Sequence, residues 1–524
     1  MKKRGAAAVV AAIFIIAFVL SFASCEGTTL KKVAANLDSY SLTVNYDENS
    51  HSLSVLQVVK TTNRHEEACS ALKFHIYAAM YRQEAATSVV PTADRTAAYP
   101  KGYSYGSISF DQVSINNAAM PFVIEGTDGD ILSVPLEKPL EKGQKVTVAM
   151  VYEIDLANIW HRTGYGDDTV NLGNWFPILC AKDAEGKYLL TPYYALGDPF
   201  VSDLANYTVK INLPAQSVLA SSGSITEQSE VNGRKEYSLT ATAVRDFALT
   251  FSNSFKVLTD TVCGTQISYY YYADNAPEES LLIAKQAVEF FSGLVGEYPY
   301  PTLAVAQADF CYGGMEYPRL VYISDILSAE QRKQTIVHEI AHQWFYGIIG
   351  SDQINDAWQD EGLTEFTTLL FFDAHPQYGL TLKSQIMSLM ASYTTYLDIL
   401  NTYLTDVDTS MSKSLGAFLS QQEYIYITYA KGCLMFYELY DVIGAAKFQR
   451  SLKRYYTKCA FTTATPQDLF NAFSFNYGAD LSDWFNCYME GRDLFALPKT
   501  SSKEILPDKT RIPVSNPSII PLPA

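Results

Sequence analysis

Two histidines in one short segment give this chain its clearest chemical signal. The segment reads His338-Glu339-Ile340-Ala341-His342. On a helix, residues four apart lie on one face, so His338 and His342 can offer two imidazole nitrogens to one metal ion. Glu339 lies at the edge of that face, where its carboxylate can take a proton from a water molecule that the metal acidifies. Such a pentapeptide arises by chance in about one chain of this length in a hundred, so a pair of surface histidines is the alternative.

A third donor downstream strengthens the metal-site hypothesis. Zinc needs three protein ligands and an open position for water or substrate. Glu361 lies 19 positions after His342, which leaves room for the first helix to end and a second helix to bring a carboxylate back. The sequence therefore predicts the ligand set His338, His342 and Glu361. Glu365, one turn further on, is expected to make hydrogen bonds to a ligand rather than to bind the metal.

The spacing of these donors carries a family resemblance. The segments HEIAHQW (338–344) and WQDEGLTEF (358–366) resemble the M1 family of gluzincin metallopeptidases, the group of aminopeptidase N and leukotriene A4 hydrolase. The resemblance implies one Zn²⁺ per chain on the three ligands, with Glu339 as the catalytic base. It also implies the reaction, which is hydrolysis of a peptide bond by metal-activated water.

A glycine-rich segment upstream resembles the family's GxMEN exopeptidase motif. It reads GGMEYP (313–318), and the resemblance implies that Glu316 binds the free α-amino group of a peptide, with Gly313, Gly314 and Met315 beside it. Paired glycines also allow a backbone to approach a ligand closely, and a carboxylate can neutralise an ammonium group. Tyr317 departs from the pattern, because the family usually has Asn there. An endopeptidase with the same zinc chemistry therefore stays open.

A tyrosine further downstream completes the set of candidate catalytic residues. Tyr429 begins the segment YAKG (429–432), which resembles the family's YxKG segment. The resemblance implies that its hydroxyl stabilises the tetrahedral transition state, and a phenol is a suitable donor to an oxyanion. The sequence thus predicts a zinc aminopeptidase that acts on peptides with a free N-terminus. The alternatives are the zinc endopeptidase and a surface peptide-binding lipoprotein with little turnover.

The elements that must position these residues fall into two parts. Residues 40–256 alternate apolar and polar side chains between turn residues, which predicts an antiparallel β domain. Residues 257–497 are mainly helical in pattern and include one continuous helix over 421–443. The predicted fold class is therefore multidomain α+β. The resemblance implies an N-terminal β-saddle domain followed by a thermolysin-like catalytic domain.

The two termini have a different character. Residues 1–24 hold three basic residues and then an uncharged apolar run, which is typical of an export signal, and Cys25 follows in a sequence that resembles a bacterial lipobox. We expect lipidation of Cys25 and an extracytoplasmic, membrane-anchored protein; an uncleaved anchor helix and ordinary secretion are the alternatives. Residues 25–39 are expected to be a tether, and the proline-rich residues 498–524 an extended tail.

Composition limits the partners. The chain has 524 residues, of which 39 are Lys or Arg and 56 are Asp or Glu, for a net charge of −17. An acidic surface of this kind repels nucleic acid, so we expect none as a partner. The eight cysteines are widely spaced and form no CxxC pair, so neither a disulfide framework nor a cysteine metal site is expected.

Overall fold

A computed structural model of the chain describes residues 28–404 and 407–491. The predicted leader, Cys25 and the proline-rich tail lie outside these residues. Strand-rich structure extends to Ser252, and a second, mainly helical region follows from Lys256. The predicted fold class is confirmed. Within the described ranges, none of the helices combines the length and the apolar character needed to cross a bilayer.

Three sheets make up the N-terminal region. The largest has eight strands in the order β14-β15-β12-β1-β2-β8-β4-β5, and two four-stranded sheets have the orders β13-β16-β10-β9 and β11-β3-β7-β6. The strands are β1 Asp38–Asp47, β2 Ser52–Thr62, β3 Cys69–His75, β4 Ser107–Ile115, β5 Ala118–Ala119, β6 Val123–Glu125, β7 Ile131–Leu140, β8 Lys145–Asp155, β9 Thr163–Tyr165, β10 Val170–Leu172, β11 Ile178–Leu179, β12 Ala205–Pro214, β13 Val218–Ser221, β14 Ser224–Val231, β15 Arg234–Val244 and β16 Leu249–Ser252.

The large sheet departs in one place from the predicted antiparallel arrangement. Strand β1 pairs in parallel with β12, in a register that aligns Asp38 with Ala205. Parallel neighbours cannot be joined by a hairpin, and here most of the N-terminal region separates the two strands. Along β1, β2 and β8, buried and exposed residues alternate, as the sequence pattern predicts for strands with one face on a core.

The second region joins a five-stranded sheet to a set of helices. The sheet has the order β17-β18-β19-β21-β20, and β18, β19 and β21 are parallel. Its strands are β17 Lys256–Val262, β18 Thr265–Tyr271, β19 Thr302–Ala308, β20 Gly314–Met315 and β21 Leu320–Ser324. The helices of the described chain, including two short ones in the N-terminal region, are α1 Thr28–Ala34, α2 Arg95–Ala98, α3 Pro277–Leu294, α4 Ala329–Ala341, α5 Trp358–Ala374, α6 Leu382–Tyr403, α7 Gln421–Tyr424, α8 Gly432–Ile443, α9 Ala445–Cys459, α10 Pro466–Tyr477 and α11 Ser482–Met489.

The predicted helix over 421–443 contains a local change of geometry. Ile425–Lys431 forms a π-helical turn between α7 and α8, in which each backbone hydrogen bond spans one residue more than in an α-helix. The turn is largely buried and carries Tyr429. Wider turns of this kind are frequent at functional sites because they redirect a side chain without ending the helix.

A buried arginine joins the two regions. Arg245, just after β15, donates from Nε to the carbonyl of Tyr346 at 3.0 Å and from Nη2 to the carbonyl of Thr462 at 2.5 Å. Closer to the candidate site, Gln421 Nε2 donates to Asp94 Oδ2 at 2.9 Å and so links α7 to the N-terminal region. We call the boundary marked by these contacts the domain seam.

Candidate active site

Helices α4 and α5 bring the three predicted metal ligands together. Nε2 of His342 lies 3.1 Å from Oε2 of Glu361, and Nε2 of His338 lies 3.4 Å from the same oxygen. The two Nε2 atoms are 3.2 Å apart, and all three side chains are buried. One donor atom from each residue therefore points to a common position.

The capped start of α4 sets the direction of its histidines. Ser328 Oγ accepts a hydrogen bond from the Gln331 backbone, and Gln331 Oε1 accepts one from the Ser328 backbone, which is a complete capping box. From Ile336 to Ala341 the helix is fully buried, and His342 follows at its C-cap with helical backbone angles. His338 and His342 therefore share one face of α4, as their spacing predicts.

Hydrogen bonds on the far side of each imidazole fix its orientation. His338 Nδ1 donates to Glu365 Oε2 at 3.1 Å, and His342 Nδ1 donates to the carbonyl of Phe345 at 3.0 Å. Because both partners can only accept, Nδ1 carries the proton and Nε2 faces Glu361. Outward Nδ1–H bonds of this kind are typical of metal-binding histidines. Two imidazoles, one carboxylate and this orientation fit a zinc ion.

The electrostatics of the three residues favour a cation between them. Burial opposes charge on the histidines, yet Glu361 outweighs it, and the pKa of His338 rises to about 10. The pKa of His342 also rises well above its usual value. Burial likewise opposes charge on Glu361, but the histidines hold its pKa well below its usual range. The carboxylate therefore stays ionised at neutral pH.

Glu339 stands beside the ligands and against a glycine. A Cβ atom on Gly314 would lie 2.5 Å from Glu339 Oε1, so only glycine leaves room for this carboxylate next to strand β20. Burial raises the pKa of Glu339 to about 7. A carboxyl group with a pKa near neutrality can both accept and return a proton.

Glu316 lies across the same cavity. Its Oε1 accepts a hydrogen bond from Gln353 Nε2 at 3.2 Å, and burial, with Asp198 next in effect, raises its pKa well above the usual value. The backbone of this segment is tied to α4 because Gln343 Nε2 donates to the carbonyl of Tyr317 at 3.1 Å. The residue after His342 thus holds the Glu316 segment in place.

Asp198 is a member of the site that sequence reasoning missed. Carboxylate oxygens of Asp198, Glu316 and Glu361 all lie within 4.8 Å of one another, and all three residues are buried. Asp198 comes from the N-terminal region, in a Gly-Asp-Pro segment after β11. A polar residue in a turn-like segment was the only available signal, since no spacing rule relates position 198 to position 316.

Tyr429 faces the ligands from the π-helical turn. Its ring lies parallel to that of His338 with centroids 6.1 Å apart, and perpendicular to that of Tyr424. Burial, followed by the nearby Glu361 carboxylate, raises the pKa of Tyr429 well above its usual value. The hydroxyl therefore keeps its proton and is available as a hydrogen-bond donor.

Two glycines set the separation between the third ligand and this tyrosine. A Cβ atom on Gly362 would lie 2.8 Å from Cα of Gly432, and a Cβ atom on Gly432 would lie 2.9 Å from Cα of Gly362. The backbones of α5 and α8 thus touch one residue after Glu361 and three residues after Tyr429. Neither position has space for a side chain.

The candidate residues line one cavity with an empty volume of about 660 Å³. Of the predicted site residues, it brings together Gly314, Met315, Glu316, His338, Glu339, His342, Glu361 and Tyr429, whereas Gly313 does not line it. Pro91, Arg162, Ala195, Leu196, Gly197 and Asp198 line it from the N-terminal region. The cavity therefore spans the domain seam.

Tyr317, the departure in the glycine-rich segment, points away from this cavity. Its side chain is fully buried, and its hydroxyl donates to Asn174 Oδ1 at 3.1 Å. Gly173 makes space for the ring, because a Cβ atom there would lie 1.8 Å from the tyrosine hydroxyl. The side chain at position 317 is thus part of the contact with the N-terminal region and not of the cavity wall.

Comparison with known proteins agrees with this geometry. The model of the peptidase family M1 domain matches residues 280–488, which contain the three ligands and both candidate catalytic residues. The chain carries a peptidase family M1 domain. It is similar to Aminopeptidase N of Lactobacillus delbrueckii subsp. lactis, with 27% identity over 46% of this chain and 30% of that protein. It is also similar to Endoplasmic reticulum aminopeptidase 1 of Rattus norvegicus, with 24% identity over 64% of this chain and 37% of that protein. The chain thus spans about a third of the length of these M1 relatives.

The fold of the whole described chain, beyond the M1 domain alone, has a solved counterpart. The M1 zinc metallopeptidase of Deinococcus radiodurans superposes with a TM-score of 0.64 at 18% identity, over 89% of this chain and 96% of that one. A mutant of that protein bound to a Tyr-Ser-Ala substrate superposes with a TM-score of 0.63, also at 18% identity, over 88% of this chain and 96% of that one. At this identity the match establishes the two-domain fold.

Proposed function

We propose that this protein is a zinc aminopeptidase that removes N-terminal residues from peptides. One observation carries the proposal: the three converging donors of His338, His342 and Glu361 share a single cavity with the carboxyl groups of Glu339, Glu316 and Asp198. The relatives named as aminopeptidases support the same activity. His338, His342 and Glu361 would hold the zinc ion. When bound, Zn²⁺ supplies Lewis acidity, which lowers the pKa of a water molecule and polarises the scissile carbonyl.

In the proposed reaction, Glu339 moves the proton. It accepts a proton from the attacking water and then donates it to the leaving amine. Its place against Gly314 keeps the carboxylate beside the metal ligands and on the same side of the cavity as strand β20. An extended substrate paired with that strand would present its first peptide bond to Glu339.

Tyr429 acts on the oxygen of the scissile carbonyl. Its neutral hydroxyl donates a hydrogen bond to the oxygen that becomes negative in the transition state. Because the side chain is buried and packed against His338 and Tyr424, the donor is oriented before the substrate arrives. Little reorganisation is then needed during the reaction.

Glu316 and Asp198 bind the substrate's ammonium group and fix which bond is cut. Two buried carboxylates attract a cation strongly, and Pro91, Ala195 and Leu196 of the N-terminal region line the same cavity. The pair of buried carboxylates that would bind the ammonium group favours an aminopeptidase over the endopeptidase alternative, and Tyr317 does not alter this pair because its side chain lies elsewhere.

The deciding experiment compares aminoacyl-amide reporters with their N-acetylated twins and measures the zinc content of the same sample. We expect cleavage of the free-amine set alone, and loss of that cleavage with a chelator. Cleavage of the acetylated set would indicate an endopeptidase. Bound zinc without cleavage of either set would favour the peptide-binding protein.

Loss of one amine-binding carboxylate should weaken substrate binding more than turnover. We expect Glu316→Gln and Asp198→Asn each to raise KM for free-amine reporters by about 10- to 100-fold, the effect of removing one charge-assisted hydrogen bond. Steady-state kinetics on reporters of one sequence would measure this. Asp183→Asn is the matched control, because Asp183 accepts its hydrogen bond from the Lys187 backbone on the exposed surface. An unchanged KM in both site variants would contradict the proposed amine site.

Removing a ligand should release the metal. We expect Glu361→Ala to weaken zinc affinity by more than about 100-fold, and Glu365→Gln by about 10- to 100-fold, because Glu365 acts only through His338. Competition against a zinc chelator of known affinity would measure both. If Glu365→Gln weakened binding more than Glu361→Ala, the assignment of the third ligand would be wrong.

We also propose that the protein is extracytoplasmic and attached to the membrane through a lipid on Cys25. The basic residues and apolar run before Cys25 support this proposal. Mass spectrometry of the N-terminal peptide from membrane fractions tests it. An intact, unmodified residue 1 at that terminus would favour the anchor-helix alternative.

A further inference from the structure

We propose that Arg162 is the positioning residue of the amine site and holds the Asp198 carboxylate at the cavity wall through a buried chain of hydrogen bonds that begins at Tyr81. The proposal rests on the proposed function, because it concerns how the N-terminal region supplies one of the two amine-binding carboxylates.

Arg162 donates hydrogen bonds to the Asp198 segment at two points. Its Nη2 donates to Asp198 Oδ1 at 2.5 Å and to the carbonyl of Gly197 at 3.1 Å. Arg162 is 6% exposed and Asp198 8% exposed, so solvent does not compete for this pair. A buried guanidinium and carboxylate interact more strongly than an exposed pair and lose little when salt is added. Both the side chain and the backbone of the segment are therefore fixed.

A second set of contacts fixes the other side of the guanidinium. Arg162 Nη1 donates to His161 Nε2 at 3.2 Å, and His161 Nδ1 lies 2.7 Å from the hydroxyl of Tyr81. Because arginine can only donate, His161 Nε2 accepts, and Nδ1 carries the proton and donates to the tyrosine oxygen. Burial, together with Arg162, keeps the pKa of His161 well below its usual value, so the ring stays neutral.

Aromatic rings confine the guanidinium as well. Its central carbon lies 5.5 Å from the ring centroid of Phe200 and 5.8 Å from that of Tyr312. Cation–π contacts of this kind favour one position of the charged plane. The two rings, His161 and Asp198 together hold the Arg162 guanidinium in one orientation. This orientation in turn fixes the Asp198 carboxylate.

The charges in the cavity explain why Asp198 needs such support. Its carboxylate lies within 4.8 Å of those of Glu316 and Glu361. Carboxylates this close repel one another when they are ionised, so a nearby cation favours the observed position of Asp198. Arg162 is the only lysine or arginine among the described residues that line the cavity. It opposes this repulsion and keeps the amine site formed before the substrate binds, which saves the free energy of forming it on binding.

A double-mutant cycle tests the proposal. We expect Arg162→Lys to raise KM for free-amine reporters by about tenfold and to change kcat less than KM, since a point charge on a flexible chain replaces a fixed planar fork. In an Asp198→Asn background the same substitution should change KM by less than about twofold, because the residue it acts through is gone. Arg234→Lys is the matched control, since Arg234 pairs with Glu48 on the surface of β15 and should leave KM unchanged. Thermal melting of each variant separates lost folding from lost positioning.

Two results would overturn the proposal: an unchanged KM in Arg162→Lys, or an equal rise in KM with and without the Asp198 carboxylate. A parallel arm measures calorimetric binding of leucine amide to zinc-loaded protein carrying Glu339→Gln, with and without Arg162→Lys. We expect about tenfold weaker binding with the arginine replaced. If the wild-type protein cleaves no reporter, the proposed function fails, yet the binding arm still decides the role of Arg162.

Discussion

Glu339→Gln is expected to lower kcat/KM for peptide hydrolysis by at least about 10³-fold, within the range for loss of a general base. The amide is nearly isosteric with the carboxylate, so it fits the space beside Gly314. It cannot accept the proton of water, and it cannot pass that proton to the leaving amine. Zinc content should stay at one ion per chain, because Glu339 is not among the three converging donors.

The control for this variant lies on the same helix. Glu330→Gln removes a carboxylate from the exposed first turn of α4, far along the helix from the histidines, and should leave kcat/KM unchanged. Zinc analysis and melting temperature accompany the kinetics of both variants. Wild-type rates in Glu339→Gln would show that another group activates the water, and loss of zinc would place Glu339 among the ligands.

Gly362→Ala is expected to destabilise the fold by about 3 kcal/mol, at the upper end of the cost of overpacking. The added methyl would lie 2.8 Å from the backbone of Gly432, and a backbone cannot rotate away as a flexible side chain can. The helices α5 and α8 must separate, which moves Glu361 from the histidines. Zinc affinity should fall together with stability, as measured by thermal melting and chelator competition.

Gly293→Ala provides the comparison. Gly293 lies in helix α3, and a Cβ atom there would meet nothing within 4 Å. Alanine is the better helix former by about 1 kcal/mol, so this variant should be slightly more stable than the wild type. If Gly362→Ala were as harmless as Gly293→Ala, the two helices would not be in backbone contact.

The sequence was sufficient for the metal triad because its geometry is local. Helical spacing puts His338 and His342 on one face, and one helix-loop-helix connection returns Glu361 to them. The overall division into a β region and a helical region followed in the same way from periodicity. The parallel pairing of β1 with β12 did not, because strand periodicity is the same for either direction.

The proposed amine site was only partly predictable, because it combines residues distant in the chain. Glu316 has a motif around it, whereas Asp198 and Arg162 enter the cavity only after the β domain packs on the helices. Tyr317 shows that a residue inside a recognisable motif can still be misinterpreted. Its identity suggested a change in specificity, but the direction of a side chain depends on tertiary packing, here the space above Gly173. The π-helical turn that aims Tyr429 was also missed, since its residues have ordinary helical periodicity.

The position of the domain seam determines which part of the proposed activity is lost first when the two regions loosen. The metal ligands and Glu339 all belong to the M1 domain, whereas Asp198, Pro91, Ala195 and Leu196 line the cavity from the N-terminal region. Arg245 and the link between Gln421 and Asp94 hold the two regions together. Conditions that loosen these contacts without unfolding either region would leave the three metal ligands together and separate Asp198 from Glu316. Under the proposed function, the protein would then lose its preference for free N-termini before it lost the ability to cut peptide bonds.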